Sequence, residues 1–235
     1  MFGQRVLQAR VLRAIPSGVL AQRLGWRPER LSRLERRCWV ELNDPSVTAL
    51  GEALGVSEAF LTSAPVAFVN EGRWTRHPPS SMAQRERTFL THFAAVVEEF
   101  IDQVGRTDPL PPVRLPPRRQ DRTVAKLAAA ARDAMGLACG PIESLTMSME
   151  QAGIPVVMRS PSREGSFATV GDGRHVGLSV WLGEASTRPL VLMPALSSWE
   201  RTRWTLAHEL GHICVGPAGP AVDAEDLADT FAGEL

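Results

Sequence analysis

RWTLAHELGHICVG, residues 203–216, reads as one helix with two faces. His208 and His212 stand four residues apart, so both imidazoles leave the same side and can share one metal ion. Glu209 lies one step round the helix, beside that face, where a carboxylate can hold an attacking water and take its proton. Leu206, Leu210 and Ile213 form a stripe on the opposite side for a core. Upstream, Ser197-Ser198-Trp199-Glu200 offers a capping box to start the helix. A catalytic metal needs a third protein ligand and leaves its fourth place to water. After His212 the chain breaks at GPAGP (216–220) and resumes as VDAEDLADTFAGEL (222–235), a helix able to run back across the first. Glu225 and Asp229 are four apart there, so one can ligate the metal while the other reaches a ligand imidazole. Asp223 competes as third ligand but reads more simply as the N-cap of this helix. Glu225 also has a plainer reading, as an exposed acid of the first turn.

Working back from that motif, residues 121–202 read as α+β. RTVAKLAAAARDAM is a helix stopped by Gly136, and PIESLTMSMEQA a second, opened by Pro141 and closed by Gly153. IPVVMR (154–159) is a strand. SFATV and RHVGLSVWL are expected to pair through a turn at Asp172-Gly173. In the latter, Val176, Leu178 and Val180 alternate with His175, Ser179 and Trp181, which predicts one core face. PLVLM (189–193) is a further strand, placed at a sheet edge by its proline. An extended substrate is expected beside it, since strand addition orients a peptide without demanding particular side chains.

The front of the chain is different. SGVLAQRLGWRPERLSRLERR (17–37) places Leu20, Ala21 and Leu24 on one short helix, Gly25 at a bend, and Leu31 and Leu34 on the next. Helices at 4–14 and 44–61 complete a five-helix bundle. Arg27, Arg30, Arg33 and Arg37 are left on the outside, a set suited to phosphate and major-groove contact. A plainer use of such a bundle is protein contact or dimerisation. A long helix at 82–104, with Phe89, Phe93, Val96, Val97, Phe100, Ile101 and Val104 in its stripe, and a five-proline spacer at 105–120 separate the two halves.

Composition narrows the classes. The chain has 235 residues, with 26 cationic side chains balancing 26 acidic ones, which excludes a uniformly basic nucleic-acid binder. Residues 1–65 nevertheless carry nine arginines against six acids. Three scattered cysteines without a Cys-x-x-Cys pair fit a reducing compartment and exclude a thiolate zinc knuckle. The start is too charged for a secretory signal, and the longest apolar stretch, 176–196, is interrupted by Glu184 and Arg188. These readings place the protein in the cytoplasm, away from membranes. There is no tyrosine, so one common stabiliser of a tetrahedral oxyanion is missing. His175, or an arginine such as Arg201, is the candidate for that task.

Two resemblances follow from these residues. LAQRLGWRPERLSRLE, with its surroundings over 4–62, resembles the phage-repressor-like Xre/Cro helix-turn-helix family, although Ser17 stands where a phosphate-contacting Gln is usual and Trp26 replaces a smaller aliphatic residue. HELGH, the preceding RWTLA and the later EDLADTFA resemble the ImmA/IrrE family of zinc metallopeptidases, and the likeness extends over about 121–235. That resemblance implies one Zn²⁺ on His208, His212 and Glu225, Glu209 as general base, and Asp229 in support behind the ligands. It also implies a helix-turn-helix repressor as substrate, cleaved to release stress or mobile-element genes. Family chains run on beyond this point, whereas this one stops at Leu235, so the expectation includes a domain shortened at its C-terminus, with activity dependent on that end. The fold expected is therefore multidomain: an all-α helix-turn-helix bundle (1–65), a long helix with a Pro-rich linker (66–120), and an α+β zincin-like metallopeptidase domain (121–235). The alternative is a DNA-binding transcriptional regulator whose peptidase-like domain is a sensor or inactive.

Overall fold

The computed structural model describes residues 1–65, 74–75, 84–117, 123–159, 177–183, 185–196, 198–216 and 221–235, with side chains in the last stretch from residue 224 onward. The described residues are mostly helical, with one small three-stranded sheet. It divides into two compact units, 1–69 with 84–100 and 70–83 with 101–235. No described helix is long and apolar enough to cross a membrane.

In the first unit five helices surround one apolar cluster: α1 (Gly3–Leu12), α2 (Ser17–Arg23), α3 (Pro28–Glu35), α4 (Asp44–Leu54) and α5 (Glu58–Thr62). Val6, Ala9, Leu20, Ala21, Leu31, Leu34, Leu50 and Leu61 form its centre. The bend between α2 and α3 follows from two small residues. Gly25 takes a left-handed φ of 63°, and Ala21 lets the Trp26 N–H return to its carbonyl at 2.8 Å. Arg5 is buried in this unit and bonds Glu99 at 2.7 Å, Gln8, and the carbonyls of Ser63 and Ala64. Glu99 lies on α6 (Gln84–Thr107), which ends three residues later than the sequence predicts. Its buried face is Phe89, Ala94, Ala95, Val97 and Glu98, while Phe100 and Val104 are exposed. The expected apolar stripe is thus interrupted. Small alanines occupy the close-packed positions, and the later large residues have no core beneath them.

The second unit holds α7 (Val124–Ala134), α8 (Leu145–Gln151), β1 (Val156–Arg159), β2 (Leu178–Leu182), β3 (Arg188–Pro194), α9 (Trp199–Val215) and α10 (Ala221–Glu234). Leu127, Ala131, Met149, Ile154, Val191, Met193, Leu206, Leu210, Ile213 and Phe231 make one continuous core between helices and sheet. Residues 108–117 of the Pro-rich stretch after α6 pack on this unit. The Arg114 N–H donates to the Ala152 carbonyl at 2.9 Å, the Arg188 guanidinium holds the Pro111 carbonyl, and Leu115 packs on the core.

The sheet order is β1-β3-β2, with β1 parallel and β2 antiparallel to β3. This corrects the edge assignment of PLVLM, because β3 is the central strand and has no free side for an added peptide. Its proline is tolerated for a local reason. The Val191 N–H points to β1, where it meets the Pro155 carbonyl, so the donor that Pro189 lacks would have faced the same side. Since Val156 pairs with Val191, Pro189 lies beyond the start of β1, where no ladder bond is due. The hairpin observed pairs β2 with β3, with the Thr187 N–H donating to the Leu182 carbonyl at 3.1 Å. The turn expected at Asp172-Gly173 lies outside the described residues, as do SFATV, His175 and Val176.

Candidate metal centre

Helix α9 is fixed at its start by Ser198, whose hydroxyl accepts the Arg201 N–H and donates to Glu200 at 2.6 Å. From Thr205 to Cys214 every residue is buried, so the helix runs through the middle of the unit. Besides Thr205, its polar residues there are His208, Glu209 and His212, at 6%, 1% and 3% exposure. Burying three ionisable side chains on one helix is expensive unless they are paired or hold a metal. The two histidine rings stand 4.6 Å apart at 83°, with their Nε2 atoms 3.0 Å from each other.

Helix α10 crosses α9 at Gly211. A β-carbon there would lie 3.1 Å from the Ala228 Cα and 3.2 Å from the Phe231 Cβ, so glycine permits the close approach. The approach carries Glu225, one turn before Ala228, onto the histidines. Its two oxygens lie 3.5 Å from the Nε2 atoms of His208 and His212. Three ligands at about 2.0–2.2 Å from a tetrahedral zinc stand roughly 3.3–3.6 Å from one another. The observed Nε2–Nε2 separation of 3.0 Å, with a different Glu225 oxygen 3.5 Å from each Nε2, is of the size that ligands around one ion need, so the donor set fits one ion. Among the described residues, His208, His212 and Glu225 form the group able to hold a metal.

The remaining nitrogen of His208 is also committed. Its Nδ1 lies 2.8 Å from the Asp229 carboxylate, which accepts the Nδ1–H and leaves a lone pair on Nε2 facing the cluster. Burial alone would lower the His208 pKa, but the carboxylates of Glu225, Glu209 and Asp229 outweigh it and hold the pKa above the ordinary 6.5. An excess of negative charge around two imidazoles is what a bound cation would balance. Of the alternatives open in the sequence, Asp223 falls in the third position of α10 and is not its N-cap, because the helix begins at Ala221.

Glu209 points away from solvent to the sheet. The Ser179 hydroxyl donates to one of its oxygens at 2.8 Å, and Thr75 in turn contacts the Ser179 hydroxyl and donates to the Ser179 carbonyl. Beside the other oxygen runs the backbone of Gly177, where a β-carbon would fall 2.6 Å from the carboxylate. Ser179, Thr75 and Gly177 were not evident from the sequence. The alternation in RHVGLSVWL assumes a wet face for Ser179, yet both faces of β2 are buried and Ser179 is fully enclosed. The signal that could have revealed it is a lone serine in an apolar strand, which needs an acceptor.

The other candidates are dispersed. Arg27, Arg30, Arg33 and Arg37 are exposed on and beside α3 in the first unit, with the Arg30 guanidinium stacked 4.1 Å over the Trp26 ring. Arg201 is exposed in the first turn of α9, and His175 lies outside the described residues. Comparison of the chain with protein-family models, with curated proteins and with solved structures finds no match.

Proposed function

We propose that this chain is a zinc-dependent endopeptidase of the ImmA/IrrE kind, acting in the cytoplasm on a protein substrate. The observation that carries the reading is the convergence of His208, His212 and Glu225 with a buried glutamate next in sequence to the first ligand. Bound there, zinc would polarise a scissile carbonyl and make a water acidic enough to attack it. Glu209 would serve as the base that takes the proton from the attacking water and returns it to the leaving amine. Its carboxylate has little freedom to swing, because Ser179 holds one oxygen and the Gly177 backbone confines the other side. Asp229 fixes the tautomer of His208 that offers Nε2 to the metal. A helix-turn-helix repressor as substrate rests on the resemblance of HELGH and EDLADTFA to that family. The test is cleavage of a co-expressed repressor. Zinc-loaded wild type is expected to cut it, and Glu209→Gln to lose about 10²–10⁴-fold in rate. Cleavage by Glu209→Gln at the wild-type rate would refute the mechanism.

A second reading, sequence-specific DNA binding by the first unit, is favoured by one observation. Arg30 is held over the Trp26 indole at the start of α3, which restricts an otherwise floppy side chain in a position suited to base or phosphate contact. A salt-dependent footprint that survives chelation, with no proteolysis of any partner, would select a regulator over an enzyme.

A further inference from the structure

Because β3 is paired on both sides, β1 and β2 are the outer strands of the described sheet. The outer edge of β2 is nearest to Glu209, and it is not open. Trp74 forms an antiparallel bridge with Val180, and the Thr75 N–H donates to the Ser179 carbonyl at 3.0 Å. The Thr75 hydroxyl contacts that of Ser179, which bonds Glu209 at 2.8 Å. A short piece of extended chain therefore stands one hydroxyl group away from the candidate general base. Both residues are 6% exposed, so the piece is seated on the edge and not laid loosely over it.

We propose that Trp74–Thr75 is an intramolecular stand-in for the substrate strand, so that the resting chain blocks its own peptide-binding edge. For its functional meaning this rests on the peptidase reading above. The physical basis is that an edge strand recognises any extended backbone through its N–H and C=O groups, and only one chain can occupy that edge at a time. Two features make this occupant displaceable. Among the described residues its pairing with the edge is a single bridge. The Trp74 indole N–H is also buried with no hydrogen-bond partner among the described residues, so its seat is imperfect. An incoming peptide that extends the pairing along Leu178–Leu182 and satisfies its polar groups binds better than the resident pair. Activation is then exchange of one strand for another, and any partner that pulls on the Trp74 segment would promote it.

The probe is a labelled synthetic peptide, NEGRWTRHPP, copying residues 70–79. It is titrated into the full chain carrying Glu209→Gln, so that no turnover consumes it. Thr75→Pro removes the N–H and the hydroxyl that hold the resident pair, and Trp74→Ala removes its indole. Each, in that background, is expected to bind the peptide at least ten-fold more tightly than the parent. Circular dichroism checks that each variant is folded. Hydrogen exchange on the parent needs no further variant: the Thr75 amide is expected to be protected alone and to lose protection under excess peptide. Equal peptide binding by the parent and folded variants, or Thr75 protection unchanged at saturating peptide, would overturn the proposal. A separate arm follows casein cleavage by zinc-loaded chain with Glu209 intact, where Thr75→Pro is expected to cut several-fold faster than wild type. If peptide binding behaves as stated but neither protein cleaves, the self-occupied edge stands and the peptidase reading fails. If both cleave equally and bind the peptide equally, the peptidase reading stands and the self-block fails.

Discussion

The triangle of ligands depends on how closely α10 crosses α9, and one substitution tests that dependence. In Gly211→Ala the new methyl would sit 3.1 Å from the Ala228 Cα, 3.2 Å from its carbonyl oxygen and 3.2 Å from the Phe231 Cβ. Two of these neighbours are backbone atoms, so no side-chain rotation relieves the contact. Carbon–carbon contacts settle near 3.5–4.0 Å, which means the helices must separate by about 0.5 Å at the crossing. Overpacking of this kind costs about 1–3 kcal/mol of stability. The effect on the metal is more specific. Glu225 is one turn from the crossing, and a working site holds its ligand distances to within about 0.2 Å. A half-ångström retreat of Glu225 exceeds that tolerance, so zinc affinity is expected to fall roughly 10–100-fold, or about 1.4–2.7 kcal/mol. Gly233→Ala supplies the control. It lies on the same α10 helix, nothing approaches within 4 Å of its new methyl, and it should gain up to about 1 kcal/mol from helix propensity without touching zinc. Zinc affinity is read by competition with a chromophoric chelator, and stability by urea midpoint. Wild-type affinity in Gly211→Ala, or an equal loss in Gly233→Ala, would refute the idea that the helix crossing sets the site.

Three further outcomes follow from the same geometry. Asp229→Ala should weaken zinc binding roughly 10–100-fold by releasing His208, while Asp229→Asn, which still accepts the Nδ1–H, should lose less; the chelator assay ranks the two. In the first unit, burial and the nearby charge of Arg10 lower the pKa of His92 below the ordinary 6.5, so the unfolded chain takes up that proton first. Stability contributed by neutral His92 is therefore complete above about pH 7 and falls as the pH drops through 6.5, and the denaturant midpoint of His92→Gln should decline less over that interval than wild type. Arg5→Ala removes four hydrogen bonds, one of them the part-buried ion pair to Glu99, and should lower the stability of the first unit by about 3 kcal/mol, seen as an early transition on urea unfolding.

What could be read from the sequence divides along the range of the interactions. The face shared by His208 and His212 follows from helical spacing alone, and the Glu225/Asp229 pair was visible because its own spacing repeats that of the histidines. Spacing could not say which carboxylate faces the cluster, because that depends on where α10 crosses α9, and the crossing is set by Gly211 against Ala228. The central place of β3 was hidden for a related reason. A proline marks an edge only if its missing N–H was owed to a neighbour, and at Pro189 the neighbouring strand has not yet begun. The contacts of the prolines depend on partners far along the chain, which no local pattern records. Ser179 is the instructive case, since the information was present but was read with the wrong assumption. Alternation assigns an isolated polar residue to solvent, which holds for a sheet with one wet face. In a strand buried on both sides the same residue must instead find an acceptor within the protein. An acidic side chain placed on a buried helix needs donors in equal measure, and Glu209, at 1% exposure, is in that position. Considered together, the lone serine in β2 and the buried glutamate in α9 each predict the partner that the other supplies.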